Sequence, residues 1–257
     1  MSSRLEVAFA LAYRQTTVLL KNPSLFLPPM LFPLMNFVAF AGGLSRLRHV
    51  PGFAFPDGYT AFVFVFVLLQ SAAFGGVFTG FAIARDFERG FARRLLVSAP
   101  HRSGIIIGYG LAAFIRWTMI AAVLTVVALV GHMQIGGDGV DIFGLYALAV
   151  IFNQVGLLWA CGVAMRLRSV QAAPLMQTPV FLALFLAPVY VPLALLQGWI
   201  HEVARLNPLT YLLEAGRGLI SGRPDEVTTA FGVALLLLAV FAVWARTGLG
   251  RAERAGS

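Results

Sequence analysis

Four histidines, one cysteine and eleven carboxylates are the groups from which a reactive site could be built in this chain of 257 residues. His49, His101, His132 and His201 are scattered, and none has the helical spacing that sets two imidazoles on one metal. Cys161 stands alone in an apolar run, so neither a disulfide nor a thiolate metal site follows from it. Asp57, Asp138, Asp141, Glu202, Glu214, Asp225 and Glu226 all fall between apolar runs. Ion-coupled pumps keep ionisable groups inside the membrane, so this placement argues against one, and against hydrolysis by an acid pair. There is no Gly-x-x-x-x-Gly-Lys-Ser/Thr, and the single lysine, Lys21, does not follow a glycine. The chain therefore carries no phosphate-binding loop. The expectation is a protein that is not an enzyme, with no metal and no cofactor of its own.

Charge concentrates instead in residues 85–100, where Arg85, Asp86, Glu88, Arg89, Arg93 and Arg94 surround Phe87, Gly90, Phe91 and Leu95, and Pro100 closes the run. Phe87, Phe91 and Leu95 form a narrow stripe at helical spacing, and acids precede arginines as the helix dipole favours. The pattern predicts an amphipathic helix over 86–98. It is either a docking helix for a cytoplasmic motor or an interfacial helix on lipid headgroups. A second candidate is Arg116, inside an apolar run. If that span begins near Tyr109, Arg116 lies about two turns deep, within snorkelling reach. A third is a set of uncharged polar residues in apolar runs: Asn36, Gln70, Asn153, Gln154, Gln171, Gln177 and Thr178. Such groups join helices by default and otherwise line a route. The small-residue spacings Gly76/Gly80 and Gly104/Gly108 suggest close helix approach.

These residues must be positioned by helices in lipid. The chain is 59% hydrophobic and 12% charged, about half the charge that covers a soluble domain. Apolar runs occupy residues 22–45, 58–84, 103–137, 142–165, 169–200 and 227–245, each reaching the ~20 residues a spanning helix needs. The fifth holds Pro174, Pro179, Pro188 and Pro192. It is read as a span over 170–190 that breaks and turns back, with two short helices over 193–221 dipping into the outer leaflet. Residues 3–21 predict an amphipathic helix, with Leu5, Ala8, Phe9, Ala12, Tyr13 and Leu20 on one face and Arg14 and Lys21 on the other. With the N-terminus inside, 13 of the 19 basic residues are internal and 5 external, Arg46 and Arg48 among the latter, which places both termini in the cytoplasm. The fold class is an all-α polytopic membrane protein, one domain over 1–257 with six transmembrane helices.

Two segments carry a resemblance to the ABC-2 type permease family, within it to daunorubicin-resistance exporter permeases. One is 85–100, with its Glu88-Arg89-Gly90 and Arg94-Leu95-Leu96. The other runs from Gly198-Trp199 through Asn207-Pro208-Leu209-Thr210-Tyr211 to Glu214 and Arg217. The resemblance implies a permease of a bacterial ATP-binding-cassette exporter in the cell membrane, a multidrug efflux system conferring antibiotic resistance. Two copies of a cytoplasmic ATPase would hold ATP and Mg²⁺, and a second or related permease would pair with this one. It implies that 86–98 is a coupling helix, 3–21 a connecting helix, and 193–221 re-entrant outer helices. Trp199, Asn207, Pro208, Tyr211, Glu214 and Arg217 would belong to the outer gate. The first, second and fifth spans would border the route, with Asn36, Gln70, Phe74 and Gln177 along it. Gly216 in mid-helix departs from the pattern. The Phe-rich second span suggests a drug or lipid-like substrate, with a polysaccharide or glycolipid as the alternative. An ATP-independent channel or carrier, a membrane-embedded enzyme or an assembly role are the rivals from other classes.

Overall fold

The computed structural model describes residues 4–44, 53, 55–98 and 103–254. Ser3, Ser45, Arg46, Arg48, His49, Pro100, His101 and Arg102, which figure in the sequence expectations, lie outside the described residues. The described chain is helical, with no strand: α1 (Arg4–Lys21), α2 (Pro23–Gly43), α3 (Gly58–Glu88), α4 (Phe91–Ser98), α5 (Ser103–Val130), α6 (Gly139–Leu167), α7 (Ala173–Phe185), α8 (Trp199–Leu206), α9 (Pro208–Ile220) and α10 (Val227–Arg254).

Among the described residues, α2, α3, α5, α6 and α10 are long and apolar enough to cross a bilayer. The sixth segment is shorter. A 3₁₀ turn of 3 residues and α7 of 13 residues together reach about 24 Å at about 1.5 Å per residue, less than the ~30 Å of hydrocarbon. The expected helix over 170–190 thus ends early, at Phe185. Pro188 and Pro192 explain this, because proline supplies no N–H and drives the residue before it out of the helical region. Residues 186–198 follow as an irregular stretch with one 3₁₀ turn at Leu193–Leu195.

α3 is the axis. It is buried along nearly its whole length, whereas α2 and α10 leave rows such as Leu31, Met35 and Val38, or Leu236, Val240 and Val243, exposed. A soluble bundle would put such rows inside; here they suit a lipid solvent. Both glycine pairs mark close approaches. A Cβ at Gly76 would meet the backbone of Asn153 and Leu157, and one at Gly80 would meet Ala160, so α3 and α6 pack backbone to backbone. A Cβ at Gly104 or Gly108 would lie 2.8 or 2.9 Å from the carbonyls of Arg4 and Ala8, so α1 lies directly on α5. That contact splits the predicted apolar face of α1. Ala8, Leu11, Ala12 and Leu19 turn to the protein, where small residues allow close approach, while Leu5, Phe9, Tyr13 and Leu20 stay exposed.

The long helices alternate between two ends. One gathers α1, α4, the turn after α6 and the end of α10, where Arg168 donates to the Arg251 carbonyl at 3.1 Å. The other gathers α8, α9 and the turn before α6, where the Gly136 and Gly137 N–H groups both donate to the Ile220 carbonyl at 3.0 Å.

Candidate functional site

Asp86 occupies the last turn of α3 and is 6% exposed. Arg14 donates to both its oxygens, at 3.1 and 3.0 Å. Gln15 donates at 2.7 Å and the Tyr109 hydroxyl at 2.8 Å. A buried carboxylate is costly unless paired and hydrogen-bonded; this one receives four bonds, from α1 and α5. The Arg14 guanidinium also lies 3.7 Å over the Phe91 ring, a cation–π contact that brings α4 into the same joint.

The segment expected as one helix over 86–98 is two. α3 ends at Glu88, Arg89 and Gly90 turn with Gly90 at φ +72°, and α4 starts at Phe91. The turn rotates the stripe inward. Phe87, Ala92 and Leu96 are buried and Phe91 and Leu95 pack partly against the same cluster, which includes Leu11, Tyr109 and Met165. A helix of 8 residues is not stable alone and must bury its apolar side, and the chain's own core is the nearest place. The face left outward carries Arg89, Arg93, Arg94 and Val97, the last 81% exposed. Glu88 accepts from Ser169 Oγ and the Val170 N–H, each at 2.8 Å, which joins the end of α3 to the turn before α7.

At the opposite end, Asn207 closes α8 and caps α9. Its Oδ1 accepts from the Leu209 N–H at 3.0 Å and its Nδ2 donates to the Ala183 carbonyl of α7 at 2.6 Å. Pro208 then fills the first helical position, where a missing N–H costs nothing. Arg217 is 2% exposed. It donates to Glu214 at 3.0 Å and to the Val189 carbonyl at 3.0 Å, and lies 3.5 Å over the Phe62 ring. It thereby joins α9, the irregular stretch and α3. Gly216 has a packing reason: a Cβ there would lie 2.6 Å from Val65 Cγ1. Tyr211 is half-buried on α9, and Trp199, 72% exposed at the start of α8, faces away from this set.

Asn36 of α2 donates to Gln70 of α3 at 3.0 Å. One turn along α3, Phe74 makes an edge contact with Phe32, centroids 5.8 Å apart, and sits 4.6 Å from Phe181 of α7. Three of the four route candidates thus fall on the seam of α2, α3 and α7. Gln177 is half-buried on α7, one turn before Phe181. Asn153 donates to the Ala72 carbonyl at 2.8 Å and so joins α6 to α3. Phe62, Phe64, Phe66 and Phe74 belong to the buried core.

Sequence reasoning passed over Arg14, Gln15 and Tyr109 as partners of Asp86. They lie 72, 71 and 23 residues away, and the only pointer was the Gly104/Gly108 pair that seats α1. The reading of Arg116 rested on a span that begins near Tyr109. α5 begins at Ser103, which sets Arg116 about 20 Å along it at about 1.5 Å per residue. Its side chain is 8% exposed and lines a cavity between α1, α2, α3 and α5.

A profile of the ABC-2 type transporter family matches residues 6–220, ending where α9 ends. The chain belongs to this family, and with its several apolar helices it is a multi-pass membrane permease. It is 26% identical over 217 residues to a protein of Pyropia yezoensis named transport permease ycf38, covering 82% of this chain and 73% of that one. A protein of the same name from Porphyra purpurea is 26% identical over 215 residues, with the same coverage.

Proposed function

We propose that the chain is the membrane subunit of an ATP-driven exporter that moves a hydrophobic or amphiphilic molecule, drug or lipid-like, out of a bacterial cell. Two copies of a separate ABC ATPase supply ATP hydrolysis, with Mg²⁺ bound there. A second or related permease completes the pore, and both termini lie on the cytoplasmic side of the inner membrane.

The observation that carries this reading is α4. It is a short helix seated on the chain's own core, with Arg89, Arg93, Arg94 and Val97 turned outward. Three cations and one apolar residue on a supported surface suit an acidic cleft in a partner. Closure of the ATPase would press on α4, and the Arg14–Asp86–Phe91 joint would pass the movement to α1 and α3. α3 continues to Phe62, on which Arg217 rests, so the same helix reaches the outer gate formed by Trp199, Asn207, Pro208, Tyr211, Glu214 and Arg217. The seam holding Asn36, Gln70 and Phe74, with Gln177 beside it on α7, would open and close with it.

The test is co-purification in detergent with the ATPase encoded beside this chain. Wild type retains it. The double variant Arg93→Glu/Arg94→Glu loses it at an unchanged elution volume, because both side chains are exposed and support nothing internal. A wild type that purifies without ATPase under every nucleotide condition would end the exporter reading and favour a stand-alone channel or carrier.

A further inference from the structure

A cavity of about 440 Å³ lies between α1, α2, α3 and α5, at the end of the bundle where α1 lies. Its charged lining is Arg14, Arg85, Asp86, Arg89 and Arg116. Arg14 is paired with Asp86 and Arg89 is exposed, which leaves Arg85 and Arg116 as lining guanidinium groups with no ion pair among the described residues. Arg116 is the informative one. It is 8% exposed, and its Nε is buried without a hydrogen-bond partner. It makes no ion pair among the described residues, and Arg85, of the same sign, lines the same cavity. A buried guanidinium without an acid is among the costliest groups a protein can hold. Burying it beside a second cation makes sense only if an anion occupies the space between them.

The same lining includes the apolar side chains of Leu25, Pro28, Phe78 and Phe81. A lining that combines guanidinium groups with hydrocarbon matches a molecule with an anionic head and an apolar body. Guanidinium forks match phosphate oxygens best. The exposed Leu5, Phe9 and Tyr13 of α1 bring the membrane surface to the same level. We propose that this cavity binds the phosphate head group of an anionic membrane lipid from the leaflet beside α1, with Arg116 and Arg85 as its ligands.

The test uses the full chain in phosphatidylcholine nanodiscs carrying increasing phosphatidylglycerol, with the thermal unfolding midpoint as readout. For wild type the midpoint rises and saturates with phosphatidylglycerol. In Arg116→Gln the apparent affinity falls by about tenfold or more, the loss of one charged hydrogen bond. In pure phosphatidylcholine that variant is more stable than wild type, because an unpaired buried charge has gone. Arg85→Gln weakens the response without needing any change at the buried position. Arg93→Gln, on the exposed face of α4, leaves it intact. An equal response to phosphatidylglycerol in wild type and both cavity variants overturns the site. The same rise from inorganic phosphate in phosphatidylcholine alone overturns the lipid as its source.

Discussion

Asp86 and Arg217 are both buried charges that tie a short helix to α3, one at each end, and they differ in how completely they are paired. Asp86 takes four hydrogen bonds from three side chains, and one of those side chains also covers Phe91. Removal of Asp86 would leave all three side chains without this acceptor. Arg217 has two hydrogen bonds and a ring, its Nε has no partner, and its acid, Glu214, is 40% exposed. Water can replace Glu214 there. On the proposed function, a joint that passes force from a motor to the spans needs the first kind of pairing, because slack would absorb the movement. A gate needs the second kind, because it must release.

The largest effect that separates the two ends is expected from Asp86→Ala. It leaves Gln15 and the Tyr109 hydroxyl without their acceptor in a buried site and frees Arg14 from α3. A cost of about 3 kcal/mol or more follows, from two stranded donors and one broken charged bond. Denaturant titration in detergent measures it, and limited trypsin digestion should cut at Arg14 once α1 detaches. A stability equal to wild type would mean that α1 is held by its glycine contacts with α5 alone. Arg217→Met comes second, at about 1–3 kcal/mol, since it keeps contact with Phe62 but leaves the Val189 carbonyl unpaired. If it costs more than Asp86→Ala, the outer end is the rigid one and the roles assigned to the ends must be exchanged.

The difference between the ends also accounts for what could be read from the sequence. Apolar helices, the short helices after residue 198 and the glycine contacts were legible because each depends on local pattern: runs of apolar residues, prolines at 188 and 192, glycines four apart. The cap at Asn207 was visible as a motif for the same reason. Asp86 was visible as a charge, but its role was not. Its partners come from α1 and α5, and no periodicity connects positions so distant. The Phe87/Phe91/Leu95 stripe was seen and its direction misjudged, because one turn at Gly90, φ +72°, decides whether it faces a partner or the core.

Glu214→Gln is the smallest change and the finest test of the comparison. The amide oxygen can accept from the same Arg217 nitrogen, so the hydrogen bond survives while the charge is lost. Glu214 is 40% exposed, so solvent screening limits the pair to roughly 1 kcal/mol or less. The unfolding midpoint should therefore stay close to wild type and well above that of Arg217→Met. Such a result would show that Arg217 is held by the Val189 carbonyl and the face of Phe62, with Glu214 as a replaceable partner. An equal loss in the two variants would show the reverse. The ion pair would then be the fastening, the outer end would be closed as firmly as the inner one, and a gate there would need some means of neutralising Glu214 before it could open.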